Sequence, residues 1–432
     1  MRLKQETYKR GVINSSVFSI ASKAFAFVMQ MLVAYYYGAT SGTDLFFYLY
    51  NIAILLGIIV QTLNSSILVP QAMKLRNGTS AEAEMEFHNT FFYLFALVTS
   101  ALLLLIYIIG VTPIGTRWFI NLTSEELQRH FATYVMFFPL TFLLTVSLYL
   151  SEILVSFKYF TLGLCCNFSL NLCAVVCLLL LASSYDVSLL MYSSCGACLL
   201  FLLGALWFLK KKLHWKFALY RPSYVPVYGK RIIGFTLNQL LVMIASAFPL
   251  YLLADVQPGL VTLVTYAQKI IQAPLAWIQQ AASVLLVRLN NIPKEEYAVK
   301  SSAVVGRTAF SLVTLTLLTS SLTFVLRHFI AENLYGLGKI DATVIPQLSG
   351  LIGIMTLAMP FVAASFCYNK KYFAEQRIKR YVLIMSVANL LSCVAFACFI
   401  PTFHDSGYAY VYVATEVLIA FVVILCSKHT AS

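Results

Sequence analysis

Two lysines stand where a lipid bilayer makes a charge expensive. Lys269 lies in "VTYAQKIIQAPLAW", inside a run from Gly259 to Val287 that holds no other charged residue. That run is long enough to cross a membrane as one helix. A lysine at its middle costs at least about 2.5–3.5 kcal/mol on insertion scales. Lys23, in "SIASKAFAF", is the second such cation. With about 1.5 Å of rise per residue, each lies roughly 15 Å inside its span, so neither reaches water by snorkelling alone. Gln268 and Gln272 flank Lys269, and Pro274 follows. Pro274 cannot donate to the carbonyl of Ile270, so a kink and a freed acceptor are expected one turn past the lysine. Cations, amides and a freed carbonyl at mid-membrane depth are the chemistry of an anion-binding cavity; the alternative is a pair of lysines quenched by internal carbonyls or carboxylates.

The acidic candidates are fewer. Glu416 sits mid-span in "VYVATEVLIA", one turn after Tyr412. It reads either as a site for a coupling cation or proton, or as a neutral carboxyl bonded to a tyrosine. Asp44 opens a span after "SGT", where a carboxylate suits the helix N-terminus. Its gating role and its capping role stay open together. Glu152 lies near the inner end of its span and near Lys158, and an interfacial ion pair is expected there.

Nothing in the chain reads as an enzyme. The six histidines are scattered over loops and span ends, without HExxH or a cysteine partner. There is no GxxxxGK[ST] and no GxGxxG after a strand, so no nucleotide drives the chemistry. "CGAC" at Cys195–Cys198 lies in an apolar helix and reads as packing rather than a redox pair. No metal or organic cofactor is expected, and energy would come from the membrane potential or a monovalent cation.

The elements that must position these residues follow from composition. Of 432 residues, 60% are hydrophobic and 11% charged, against about 25% charged in soluble domains. The fold expected is an all-α integral membrane protein with about twelve transmembrane helices. The spans fall at about 12–37, 43–69, 87–110, 129–156, 159–183, 187–209, 232–254, 259–287, 301–326, 343–367, 378–400 and 407–426. With both termini inside, 24 of the 30 Lys and Arg fall on the cytoplasmic side and four outside. That bias fixes the orientation. It also accounts for the net charge of +13 as a topology signal, which excludes nucleic acid as a partner. The basic, proline-containing segment 210–231 divides the chain into an N-terminal six-helix lobe, 1–209, and a C-terminal one, 232–432. A shift of 217 positions brings Gly42 onto Gly259, Asn51 onto Gln268 and "SSILVPQ" onto "ASVLLVR". Two parallel repeats of six spans imply a substrate site in a central cavity near the midplane, with Asn51 beside the lysines and glutamines.

The same stretches resemble a family. "SKAFAFVMQMLVAYYYGATSGTDLFFYLYNI" (Ser22–Ile52) is similar to the first two spans of lipid II flippases of the MurJ type, and "YAQKIIQAPLAWIQQAASVLLVRL" (Tyr266–Leu289) to their eighth. "YFAEQRIKRYVLIMSVANLL" (Tyr372–Leu391) resembles the segment before their eleventh span. The resemblance implies membership of the wider superfamily of lipid-linked glycan flippases and drug exporters. It places Lys23 and Lys269 at positions of cationic cavity residues that hold a lipid diphosphate, and Asp44 at the family's T-D aspartate. The family's R-D pair is here Met29-Gln30, its second-span basic pair falls near Gly57-Ile58, and twelve spans replace the usual fourteen.

Three functions compete. The first is a flippase in the bacterial inner membrane that carries an undecaprenyl-diphosphate saccharide from the inner to the outer leaflet. Lipid II is one such substrate and an O-antigen or capsule unit another, and membrane lipids are the remaining partners. The second is a cation-coupled multidrug exporter, which would favour carboxylates in the cavity. The third is a membrane glycan polymerase, which would favour a large charged outer loop. Mid-span cations favour the first. Oligomeric state is not written in the sequence.

Overall fold

The computed structural model describes residues 8–78, 80–110, 112, 124–220, 224–290, 292, 294–375 and 377–428. The basic N-terminal residues up to Lys4, with Arg117 and Arg221, all used in the charge-based orientation, lie outside the described residues. The described residues are helical nearly throughout. Ten helical stretches among them are long and apolar enough to cross a membrane. The chain divides into two compact units: Met1–Tyr37 with Ser41–Met243, and Gly38–Thr40 with Ile244–Ser432.

The first unit contains α1 (Tyr8–Tyr37), α2 (Ser41–Leu63), α3 (Val69–Gly78), α4 (Ala81–Gly110), α5 (Ser124–Arg129), α6 (Phe131–Ser156), α7 (Phe160–Leu181) and α8 (Ser188–Lys212). Helix α9 (Val225–Ala254) begins here and continues into the second unit. Helices α1 and α7 meet through Phe168, whose ring takes edge contacts from Phe18 at 5.4 Å and Phe25 at 5.6 Å. Asn171 Nδ2 donates to the Ser22 carbonyl at 3.2 Å. Helices α2 and α6 run antiparallel: Gln61 meets Glu152, and Asn64, one turn on, meets Tyr149. Between α2 and α3 the chain makes a five-residue π-helix, Asn64–Leu68, which the hydrophobic pattern gave no sign of.

Segment 210–231 packs onto this unit over its described part. Trp215 is 3% exposed, donates from Nε1 to Asn89 Oδ1 at 2.9 Å, and joins Phe87, Phe91, Tyr149 and Leu209 in one apolar core. Phe217, Tyr224 and Tyr228 close over the same core.

The second unit holds α10 (Leu260–Asn290), α11 (Lys294–Tyr335), α12 (Ile345–Thr356), α13 (Met359–Ala374) and a 51-residue element, Ile378–Lys428. At 42 residues, α11 is roughly 60 Å long, twice what the hydrocarbon requires. Proline stands in the first turn of both α12 and α13, where its missing N–H costs nothing.

The 51-residue element is a hairpin rather than one rod. At His404 the backbone leaves helical geometry (φ 54°, ψ −125°). Phe396 stacks on Tyr408 with centroids 5.2 Å apart, and Thr415 Oγ1 lies 3.1 Å from Ser392 Oγ. In a straight helix positions 392 and 415 would be roughly 35 Å apart. Its two arms are α14 (378–403) and α15 (405–428), the chain reversal expected between 400 and 407. Gly407 allows the arms to meet, because a Cβ there would lie 2.5 Å from the Phe399 carbonyl oxygen.

Candidate functional site

Helix α10 is amphipathic between Val264 and Ala282. Val264, Ala267, Ile271, Leu275, Ile278 and Ala282 recur at spacings of three and four and are buried. Thr265, Gln268, Lys269 and Gln272 fall at i, i+3, i+4 and i+7 on another face, none of them buried. Gln272 is exposed; Gln268, Lys269 and Pro274 are half-buried. The helix is not among the ten apolar stretches, since four glutamines, Lys269 and Arg288 dilute it, yet its 31 residues are enough to span a bilayer. It runs through Pro274 without interruption. Lys269 stands nine residues from its N-terminal end, roughly 14 Å along the axis.

The face carrying Lys269 connects to the hairpin. Gln268 Nε2 donates to the Tyr408 hydroxyl at 2.6 Å. The Tyr408 ring lies parallel to that of Tyr412, with centroids 6.4 Å apart and 8° between planes. Glu416 is one turn further, within electrostatic range of Tyr408, Tyr412 and Tyr381. Positions 408, 412 and 416 fall on one stripe of α15, a polar ladder roughly 12 Å long that meets α10 at Gln268. Of the pattern read from sequence, Gln268, Lys269, Gln272, Pro274 and Glu416 share one unit, and Gln268 is joined to the stripe that carries Glu416. The link through Tyr408 was not legible. Tyr408 precedes Tyr412 by one turn, but nothing local joins either to Gln268, 140 residues away.

Lys23, Asp44 and Asn51 belong to the first unit. Lys23 is exposed on α1, whose apolar stretch runs from Val17 to Tyr37. Asp44 is buried in the first turn of α2, where a carboxylate meets unpaired backbone N–H groups and the positive end of the helix dipole. Asn51, half-buried, lies two turns further along the same face.

The expected interfacial pair of Glu152 with Lys158 is not formed. Glu152 Oε1 accepts from Gln61 Nε2 at 2.7 Å, and among the described residues Glu152 makes no ion pair. Lys158 sits in the tight turn between α6 and α7 with φ 65°, and the carboxylate turns to the neighbouring helix instead.

Apolar helices in this number define a multi-pass membrane protein. The family of lipid II flippase MurJ matches residues 33–432, and the chain belongs to it. It is a transporter and not an enzyme. The fold is similar to that of a lipid II flippase MurJ in an inward closed conformation, at 15% identity and a TM-score of 0.83, over 96% of this chain and 87% of that one. It is also similar to an inward-facing multidrug resistance MATE family transporter of the MOP superfamily, at 12% identity and a TM-score of 0.78, over 98% of each chain. A MOP superfamily transporter from Pyrococcus furiosus aligns at 12% identity and a TM-score of 0.69, over 99% of this chain and 96% of that one. No curated protein matches the chain in sequence.

Proposed function

We propose that the protein carries an undecaprenyl-diphosphate-linked saccharide, lipid II or a close relative, from the inner to the outer leaflet of a bacterial plasma membrane. The observation that carries this reading is the cationic, amide-rich face of α10, set deep in a membrane-spanning helix of a flippase-family chain. A diphosphate leaving the headgroup region must exchange water for fixed cations and donors, since unpaired charge in hydrocarbon is prohibitive. Lys269 supplies charge and Gln268 and Gln272 supply amide donors; in the first unit, Lys23 and Asn51 are the candidates for cargo contact. Lysine is a compact point charge with three rotatable donors, which suits a phosphate that must be released as well as bound. Cargo exchange proceeds by alternating access, with both termini cytoplasmic.

Coupling to the membrane potential or a monovalent cation would enter through Glu416. A change of its charge reaches Gln268 through Tyr412 and Tyr408, within one residue of Lys269. Asp44 and Pro274 shape the ends and bend of the two helices concerned rather than touching cargo.

An O-antigen or capsule unit carries the same diphosphate and is the neighbouring reading; the sugar decides between them. A drug exporter for cations is disfavoured by a lysine on the face in question. The test is flipping of fluorescent lipid II, and of a lipid-linked O-unit, in proteoliposomes. Translocation of neither substrate, in vesicles where the protein is inserted and intact, overturns the reading.

A further inference from the structure

Each buried carboxylate in a membrane protein needs a neutraliser, and this chain shows what a built-in one looks like. Glu84, 1% exposed, is held by both the Nε and the guanidinium NH2 group of Arg76. Glu375 faces Lys371 at 3.9 Å and Arg377 at 3.5 Å. Glu152 has nothing of the kind among the described residues. It lies half-buried in a helix long and apolar enough to span a membrane, and its hydrogen-bond partner is the neutral amide of Gln61.

Charged and titratable groups stand on the surrounding elements. Arg76, following α2, is paired with Glu84 and sits 3.9 Å above the Phe157 ring. His88 on α4 is fully buried among Phe87, Tyr149 and Trp215, and neither ring nitrogen has a hydrogen-bond partner. The Tyr149 hydroxyl donates to the His88 carbonyl at 3.0 Å. Lys158 stands exposed in the α6–α7 turn, and Lys210, Lys211 and Lys212 stand at the end of α8. Among the described residues none of these cations forms an ion pair with Glu152.

Glu152 is four residues from the end of α6 at Ser156, roughly 6 Å from the helix terminus. One turn beyond its partner Gln61, Asn64 is fully buried, donates from Nδ2 to the Tyr149 carbonyl at 2.9 Å, and keeps Oδ1 without a partner. The π-helix begins at that residue. Such insertions are local departures from α geometry that gather at functional sites. The two rungs thus tie α2 to α6 at the point where α2 is least regular.

We propose that Glu152 is a proton-binding site at the inner end of the first unit, loaded from the cytoplasmic side and sensed through Gln61, Asn64 and the π-helix. A hydronium ion gives its proton to the carboxylate oxygen that does not face Gln61; its O–H bond breaks as the carboxyl O–H forms, and water is left. The ionised form holds the Gln61 amide by a charge-assisted hydrogen bond; the protonated form holds it more weakly and loosens α2 from α6. The side from which the proton comes rests on the orientation proposed above, but the site itself does not.

The test uses the full-length protein in lipid nanodiscs without cargo. Infrared difference spectra between high and low pH should show a carboxylic C=O band that grows as pH falls. It should be missing in Glu152→Gln, an isosteric change whose carbonyl can still accept from Gln61. Absence of a titrating band that depends on Glu152 overturns the proposal. So does a band abolished by sodium at constant pH, which would make the site one for a metal cation. In proteoliposomes the wild type should translocate lipid II faster or slower when a pH gradient is imposed, and Glu152→Gln should lose that response. If the infrared band is present while no lipid-linked saccharide is moved, the proton site stands and the transport reading fails. A pH-gradient response retained in Glu152→Gln overturns the coupling role.

Discussion

Replacing Lys269 by methionine keeps the length of the side chain and removes its charge, which makes it the sharpest probe of the α10 face. A lysine bound to phosphate in a partly buried site gives a charge-assisted hydrogen bond worth a net of about 1.5–3 kcal/mol. The bare Coulomb term for unit charges 4 Å apart is about 4 kcal/mol at an effective dielectric of 20, and desolvation takes back part of it. At about 1.4 kcal/mol per factor of ten, loss of the bond weakens cargo binding roughly 10- to 150-fold. Lys269→Arg keeps the charge with a different fork and should fall within about tenfold of wild type. The assay is flipping of fluorescent lipid II in proteoliposomes over a range of substrate densities. Insertion and thermal stability are measured on the same samples, because Lys269 also has an interaction within the folded protein. A Lys269→Met protein that is folded and flips at the wild-type rate at limiting substrate refutes the cationic-face reasoning.

Tyr408→Phe removes the acceptor for Gln268 and should cost about 1 kcal/mol in unfolding free energy, with a weakened response of flipping to membrane potential; an unaltered response would detach Glu416 from the α10 face. Gly407→Ala places a methyl group 2.5 Å from the Phe399 carbonyl oxygen, so the hairpin must open, and a clear fall in melting temperature is expected in detergent. Glu84→Ala leaves the half-buried Arg76 without its carboxylate and should destabilise the first unit by about 1–3 kcal/mol, read as a lower melting temperature in detergent. His130, just before α6, has its pKa lowered first by burial, with Arg129 adding to the effect and Asp186 and Glu126 opposing it. The unfolded chain then binds a proton near pH 6.5 before the folded one does, so stability is full above that pH and declines as pH falls below it. His130→Gln should flatten the dependence of melting temperature on pH below about 6.5, and an unchanged slope would show that the histidine is not its source.

The helices were legible because lipid leaves the chain few choices: long apolar runs must satisfy their backbone internally, and the boundaries fall where charge resumes. The face of α10 was legible for the same reason, since a lysine and two glutamines in an apolar run stand out against any hydrophobic pattern. The contacts that join them were not. Gln268 to Tyr408 and Gln61 to Glu152 are contacts 140 and 91 residues apart, set by which helices pack together, and no local spacing encodes that. Glu152 shows the cost. With Lys158 six residues away, proximity in sequence suggested an ion pair, but the turn carries the lysine off and the fold offers an amide instead. The π-helix at Asn64–Leu68 is hidden for a related reason: one extra residue in a helix leaves composition unchanged and alters only the register of the residues C-terminal to it.

Lys371 supplies an internal standard for the reading of Lys269. In sequence it belonged to the basic run 370–380 and served only to orient the chain. In the structure it is 8% exposed, and its Nζ donates to Ser302 Oγ at 3.0 Å and to the Ser427 carbonyl at 3.3 Å, with Glu375 at 3.9 Å. Each of these partners has a structural meaning. The Ser427 carbonyl lies at the C-terminal end of the hairpin, where a cation satisfies an unpaired acceptor and the negative end of the helix dipole. A lysine kept for architecture in this protein is therefore buried, ringed by acceptors and matched by a carboxylate. Lys23 departs from that pattern: it is exposed on an apolar helix and takes part in no ion pair among the described residues. Lys269 departs from it in burial and surroundings, half-buried on a face of threonine and glutamines inside a span. Lys371→Met should therefore behave as a folding mutant, losing stability by about 1–3 kcal/mol because a helix end loses its cation and Glu375 keeps only Arg377. Lys269→Met should instead lose transport while the protein stays folded. Reversal of the two phenotypes, with Lys371→Met stable and inactive and Lys269→Met unstable, would move the anionic cargo from the α10 face to the inner end of α13.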